Sequence, residues 1–305
     1  MHLLIPFAAP LSAAGQAAAA SLQLPQLQRL LALWTEVQRD DGDEWSLSPP
    51  HERALAAALG WRGGSGRLPW AARAAQTDGI STGNLAWGLM TPAHWHLGTD
   101  QVSLIDPAAL MLDAATSRTL FDAVRELFTS QGFAMHWAAP QRWYLAHESL
   151  AELATASLDR VIGRNVDAWL GESTSLRRLQ SEVQMLFYTH PANQAREQQG
   201  LLPVNSFWLS GCGVAQHTSA PGPRVDDRLR GPALADDWAA WVKAWQTLDE
   251  GPLAELLQQP DSPARLTLCG ERGAAHFEPR ERGALKRLQS LWTKPPTALA
   301  LLETL

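Results

Sequence analysis

The amino-acid sequence predicts an α/β protein in which a central, mostly parallel sheet is sandwiched by helices. Three observations carry this expectation. Short apolar runs of strand length recur along the chain, at residues 3–7, 204–209 and 265–269. Between them lie segments whose apolar residues fall at helical spacing, so helices and strands alternate as they do in the α/β class. The 305 residues, 46% hydrophobic and 18% charged, are enough to bury a large core and too apolar for a disordered chain.

The elements follow in order. Residues 3–7 form a candidate buried strand, and residues 13–22 read as helix. Pro25 opens a second helix, with Leu27, Leu30, Leu31 and Trp34 on one face; proline suits a first turn, where its missing N–H is not needed. Asp40, Asp41, Gly42, Asp43 and Glu44 form an acidic turn without the spacing or distal Glu of a calcium loop. A helix spans 51–59. The glycine-rich stretch 60–66 lacks the Lys-Ser/Thr ending of a phosphate loop and reads as a linker before a helix at 71–75. Strands at 85–89 and 102–105 flank Thr91, Pro92, Ala93, His94, Trp95 and His96. Residues 117–130 align Leu120, Val124, Leu127 and Phe128 as a helix capped by Gly132, followed by a strand at 133–137 with 143–145 as its partner. The clearest helix is 176–189, with Leu176, Leu179, Val183, Leu186 and Phe187 on one face. The strand at 204–209 then runs into Ser210, Gly211, Cys212 and Gly213. A helix at 236–248 carries Trp238, Trp241 and Trp245, a strand covers 265–269, and a last helix covers 284–292. No internal repeat is present. The expectation is one domain over residues 1–305, with a small insert around 107–175 as its one elaboration.

Composition narrows the function. The formal charge is −6 and there is no basic tail or run, which argues against a nucleic-acid partner. The 14 tryptophans are spread along the chain, as expected of core residues with satisfied indole N–H groups. Cys212 and Cys269 form no motif, which fits a reducing compartment. The N-terminus lacks a positive region ahead of a sustained apolar stretch, and the alanine run at 13–20 is too short to cross a bilayer. The expected setting is cytoplasmic, with no membrane partner.

The informative segment is 176–213. A helix delivers His190, Asn193 and Arg196 to its C-terminal end, where Pro191 stops it. Asn205 and a strand follow, then glycines whose bare backbone can approach an anion. Arg196 can make a bidentate contact with a phosphate or carboxylate. The alternative is purely structural: His190 and Asn193 cap the helix and Arg196 pairs internally.

This segment resembles the archaeal-type cofactor-independent phosphoglycerate mutases of the alkaline-phosphatase superfamily. The shared pattern is His190, Pro191, Asn193, Arg196, Gly200, Pro203 and Asn205, then a strand and the Gly211-x-Gly213 turn. The whole chain is similar to a bacterial group labelled phosphoglycerate mutase or RpfE-type regulatory protein, through Pro92-x-His94, Asp100-x-Val102-x-Leu104, Thr155-x-x-Leu158-Asp159 and Asn205-Ser206-Phe207-Trp208. The resemblance implies an alkaline-phosphatase-like α/β fold with a reduced insert. It also implies an anion site at His190, Asn193, Arg196, Asn205, Gly211 and Gly213 for a small phosphorylated acid.

The sequence departs from that family at the metals. Its chemistry uses two divalent ions held by Asp and His at strand ends. After the first strand this chain has Phe7, Ala8, Ala9 and Pro10, which offer no ligand, and it contains no Asp-His pair anywhere. The late strand runs into Gly270, Glu271, Arg272 and Gly273 instead. The expectation is therefore a catalytically degenerate, regulatory or ligand-sensing relative that needs no cofactor. A second reading is an active mutase or phosphatase with an altered site, holding manganese or zinc through His94 and His96 with Asp100 or Asp106. A third is a non-enzymatic interaction protein using exposed tryptophans. Cys212, between two glycines, is expected in an exposed turn. The ligand and any protein partner are not specified by the sequence.

Overall fold

The computed structural model describes residues 1–171, 173–258, 264–280 and 297–305. In chain order the first elements are β1 (His2–Ile5), α1 (Ala13–Ala20), α2 (Pro25–Leu33), β2 (Trp34–Asp40), α3 (Pro50–Ala58) and α4 (Trp70–Thr77). They are followed by β3 (Ala86–Ala93), β4 (Trp95–Leu97), β5 (Val102–Leu104), α5 (Ala114–Thr129), β6 (Ala134–Ala139) and β7 (Arg142–Ala146). Next come α6 (Leu158–Val161), α7 (Thr174–Tyr188), α8 (Pro191–Gln198), β8 (Ser206–Val214) and β9 (Arg224–Val225). The chain closes with α9 (Arg230–Leu234), α10 (Trp238–Leu248), α11 (Ala254–Leu257), β10 (Arg265–Cys269), β11 (Ala274–Pro279) and α12 (Ala298–Leu302). The helix expected at 284–292 lies outside the described residues.

The chain divides into two compact units. One comprises residues 1–45, 49–60 and 218–305; the other comprises 46–48 and 61–217, which includes the segment 107–175.

In the first unit a five-stranded sheet has the order β2-β11-β10-β1-β9. Alternation along each strand sets its two faces. Leu3, Ile5, Leu266, Leu268, Ala275 and Phe277 point to one side and pack with α2, α10 and α12 through Leu27, Leu30, Trp241, Trp245 and Leu301. Leu4, Cys269 and Ala274 point to the other and meet Ala54 and Leu55 of α3. The expected central sheet between helices is thus present. Parallel pairing is confined to β1, which lies between β10 and β9. β10–β11 and β11–β2 are antiparallel. For β10–β11 the reason is local: Gly270–Gly273 is too short a connection for anything but a hairpin.

Two side-chain features fix this unit. The Asp249 carboxylate accepts the backbone N–H groups of Gln26 and Leu27 at 3.0 and 2.8 Å, capping an α2 terminus that has no cap of its own. The Thr267 hydroxyl lies 2.8 Å from a ring nitrogen of both His2 and His276, linking three strands across one face. Burial, then the nearby Arg265, push the His2 pKa down to about 4, and the same causes lower that of His276.

In the second unit the sheet is wholly antiparallel, in the order β6-β7-β3-β8. α5 and α7 cover one face through Leu120, Phe121, Val124, Val183 and Phe187. α4 covers the other through Ala71, Ala72 and Ala75, against Trp87 and Tyr144. A separate hairpin joins β4 to β5. Several core indoles find acceptors, such as Thr82 O for Trp87 and Ala156 O for Trp208, each at 2.9 Å, whereas those of Trp61, Trp70 and Trp95 have none among the described residues.

Candidate functional site

The segment that carries the family-like pattern connects α7 to β8. Pro191 does not simply end α7. The chain turns at His190, and Pro191 takes the first position of a second helix, α8, where its missing N–H costs nothing. His190 is the N-cap of α8, its Nδ1 accepting from the Ala192 N–H at 3.2 Å. Partial burial lowers its pKa, so the ring accepts as a neutral group.

Asn193, 3% exposed, spends its whole amide on backbone. Nδ2 donates to Phe187 O at 2.9 Å and Val204 O at 2.7 Å, while Oδ1 accepts from Val204 N at 2.9 Å. One side chain thereby ties the end of α7 to the approach of β8. Arg196, also 3% exposed, donates through Nε to Leu202 O at 2.9 Å and through Nη2 to Leu110 O. Its Nη1 is buried with no partner among the described residues. Burial lowers its pKa, and Asp113 acts in the opposite direction. Asn205 imitates a strand partner: Oδ1 accepts from Trp95 N at 2.7 Å and Nδ2 donates to Trp95 O at 2.9 Å. His94 Nδ1 lies 2.8 Å from Pro203 O.

The structure therefore brings His190, Asn193, Arg196, Asn205 and His94 together along residues 187–205, with most of their polar atoms bonded to main chain. Gly211 and Gly213 lie elsewhere. The strand expected to stop at 209 continues to Val214, so both glycines sit inside β8 and not in a turn beyond it. Gly211 has φ +64, and a β-carbon there would lie 2.9 Å from Ala71 N and 3.0 Å from Trp70 Cβ. Gly213 (φ +149) faces Pro69 in the same way. Pairing with β3 slips at this point, between Trp87 and Leu89, which marks a bulge. The glycines let α4 settle onto the strand. Cys212 between them is fully buried rather than exposed, and burial pushes its thiol up to about 12, which leaves no thiolate at neutral pH.

The metal candidates stand on the β4–β5 hairpin. His96 and Asp100 are exposed, and the His94 and His96 rings are 6.4 Å apart, centre to centre. Among the described residues no three His, Cys, Asp or Glu side chains gather closely enough to hold a metal ion.

Sequence reasoning missed what closes the end of β1. In open α/β sheets chemistry gathers beyond the carboxyl ends of parallel strands. Here that position is taken by tryptophan. Trp241 Nε1 donates to Phe7 O at 3.0 Å and Trp245 Nε1 to Ala8 O at 3.2 Å, while Ala8 N donates to Cys269 O at 2.7 Å. Phe7 adopts φ +55 to make the turn. The signal was available in Trp238, Trp241 and Trp245 at helical spacing after a strand without ligands. Trp241 and Trp245 are fully buried and Trp238 packs on the same core; Trp292 lies outside the described residues. Arg272 lies in the β10–β11 turn, its backbone N–H donating to Leu305 O at 3.0 Å.

In the second unit a small cavity of about 60 Å³ lies between α7, β8 and residues 153–156, walled by Trp169, Leu176, Phe207 and Trp208 with Arg177 and Gln180 beside it. Among the described residues no helix is long and apolar enough to cross a membrane.

Fold and site together define an α/β protein of two units, with mixed and antiparallel sheets and a polar segment turned inward onto its own backbone. No protein-family model and no curated protein sequence matches the chain. Among solved structures, it is similar to a cofactor-independent phosphoglycerate mutase from Thermoplasma acidophilum, at 13% identity and TM-score 0.38, over 92% of this chain and 90% of that one. It is also similar to the PH0037 protein from Pyrococcus horikoshii, at 10% identity and TM-score 0.45, over 91% of this chain and 87% of that one. Both scores lie below 0.5, and neither neighbour lends this chain a site or an activity.

Proposed function

We propose that this chain is a phosphoglycerate mutase-like protein of the bacterial RpfE-type group that performs no phosphoryl transfer and acts as a regulatory protein, sensing a small phosphorylated acid. One observation carries the non-catalytic part: the carboxyl end of β1 is closed by the buried indoles of Trp241 and Trp245, bonded to Phe7 O and Ala8 O. A dication there would meet two apolar rings and carbonyls already occupied, and Phe7, Ala8, Ala9 and Pro10 add no anionic donor. The ligand part is supported by Arg196, whose Nη1 is a buried cationic donor without a protein acceptor among the described residues.

The test is a coupled assay of 3- to 2-phosphoglycerate conversion with manganese, run beside metal analysis of the purified protein. Turnover accompanied by stoichiometric metal would overturn the non-catalytic reading. Thermal shift with 3-phosphoglycerate, 2-phosphoglycerate and inorganic phosphate tests the ligand. A rise in melting temperature that Arg196→Lys removes is expected, and no shift with any of the three refutes sensing.

A further inference from the structure

The geometry points to a two-imidazole binding site for a borderline transition-metal ion on the β4–β5 hairpin, formed by His94 and His96. It does not rest on the closed end of β1, from which His94 and His96 are remote in sequence, nor on a ligand at Arg196. Three features support it. First, Trp95 opens β4 with its side chain buried, and His94, just before the strand, continues its pairing by accepting from Ile105 N at 3.0 Å, so His94 and His96, one residue to either side of Trp95, share the opposite face. Their rings are 6.4 Å apart and tilted by 32°. An ion about 2 Å from one nitrogen of each ring, in tetrahedral geometry, sets the centres ~5 Å apart. Rotation of the exposed His96 side chain closes the difference.

Second, the His94 tautomer is fixed. Its Nδ1 lies 2.8 Å from Pro203 O, and a carbonyl oxygen only accepts, so Nδ1 carries the hydrogen and Nε2 keeps its lone pair. An imidazole that donates one N–H to a backbone carbonyl while presenting the other nitrogen is the arrangement found behind metal-ligating histidines. Pro203 is itself held in place, because Val204 and Asn205 are bonded on its far side by Asn193 and Trp95. Third, His96 makes no hydrogen bond or ion pair among the described residues, so binding displaces nothing.

Two neutral nitrogen donors select Zn²⁺, Cu²⁺ or Ni²⁺ over Mg²⁺ or Ca²⁺. With no third His, Cys, Asp or Glu in the cluster among the described residues, water completes the sphere, and the ion keeps open positions for an outside donor.

The experiment titrates the full chain with Zn²⁺ and with Cu²⁺ in competition with a chromophoric chelator. One equivalent bound by wild type is expected. Affinity should fall ~10-fold or more in His96→Ala, remain unchanged in His217→Ala, and be undetectable for Mg²⁺. Because His96 is exposed, metal-free His96→Ala should melt with wild type. No binding at millimolar Zn²⁺ and Cu²⁺, equal affinity in wild type and His96→Ala, or loss in His217→Ala alone would each overturn the site.

Discussion

Replacing Asn193 with alanine tests whether the polar segment between α7 and β8 is a structural clamp. The substitution removes three hydrogen bonds, but their loss is unequal. Phe187 O still accepts from His190 N at 3.2 Å, so it stays paired. Val204 is fully buried, and both its N–H and its C=O lose their side-chain partner. A buried backbone group left without a partner costs ~1–3 kcal/mol. Two such groups cost about 4 kcal/mol, a large share of the 5–15 kcal/mol that holds an ordinary domain together. For a unit of this size, that lowers the melting temperature by roughly 10 °C. The assay is calorimetric melting of Asn193→Ala and of Gln194→Ala, whose neighbouring side chain is exposed and makes one long contact of 3.5 Å to Thr189 O. The control should stay within ~0.5 kcal/mol of wild type. If Asn193→Ala melts within about 2 °C of wild type, the clamp does not hold this connection and Asn193 must be free for another task.

Three other outcomes are expected. Gly211→Ala forces a β-carbon against Ala71 N and Trp70 Cβ at positive φ, and should lower stability by ~1–3 kcal/mol; a melting temperature equal to wild type would show that α4 does not pack there. Trp241→Phe leaves Phe7 O without its indole donor and should cost ~1–3 kcal/mol in melting experiments while creating no mutase activity; appearance of activity would mean that the plug, not the ligand set, blocks catalysis. Because burial first, then Arg265, hold His2 near 4 when folded against an ordinary 6.5, the folded state binds fewer protons than the unfolded state between those values. Stability contributed by His2 is therefore present above pH 6.5 and lost as pH falls toward 4. His2→Gln should narrow its gap from wild type over that window, and an equal slope in both proteins would refute the assignment.

Much of the architecture was legible because apolar periodicity reports burial. The strand at 265–269 was predicted to the residue, and α5, α7 and α10 were found within a few residues because each lays a continuous stripe on a core. β2 was missed for the opposite reason. Its Thr35, Glu36, Val37 and Gln38 are exposed on an edge strand, so no alternation marks it, and Trp34 looked like the last residue of the preceding helix. β8 was cut short because glycine usually ends a strand, whereas here Gly211 forms a bulge under α4. At the site, the sequence pattern singled out His190, Asn193, Arg196 and Asn205 as polar residues of one short segment. It could not show that their partners are main-chain atoms of Phe187, Val204, Leu202 and Trp95, because backbone carbonyls are the same at every position.

The pairing of β1 has a consequence for how the chain is made. Leu3, Leu4 and Ile5 are synthesised well before both neighbours of their strand, Val225 and the run from Leu266 to Leu268, which emerge only after residue 217. Residues 61–217 form a continuous stretch that can collapse as it leaves the ribosome. β1 must meanwhile wait, apolar and unpaired, until β9 and β10 have emerged. Translation thus sets an order of assembly, and the window before closure is when a chaperone has most to protect.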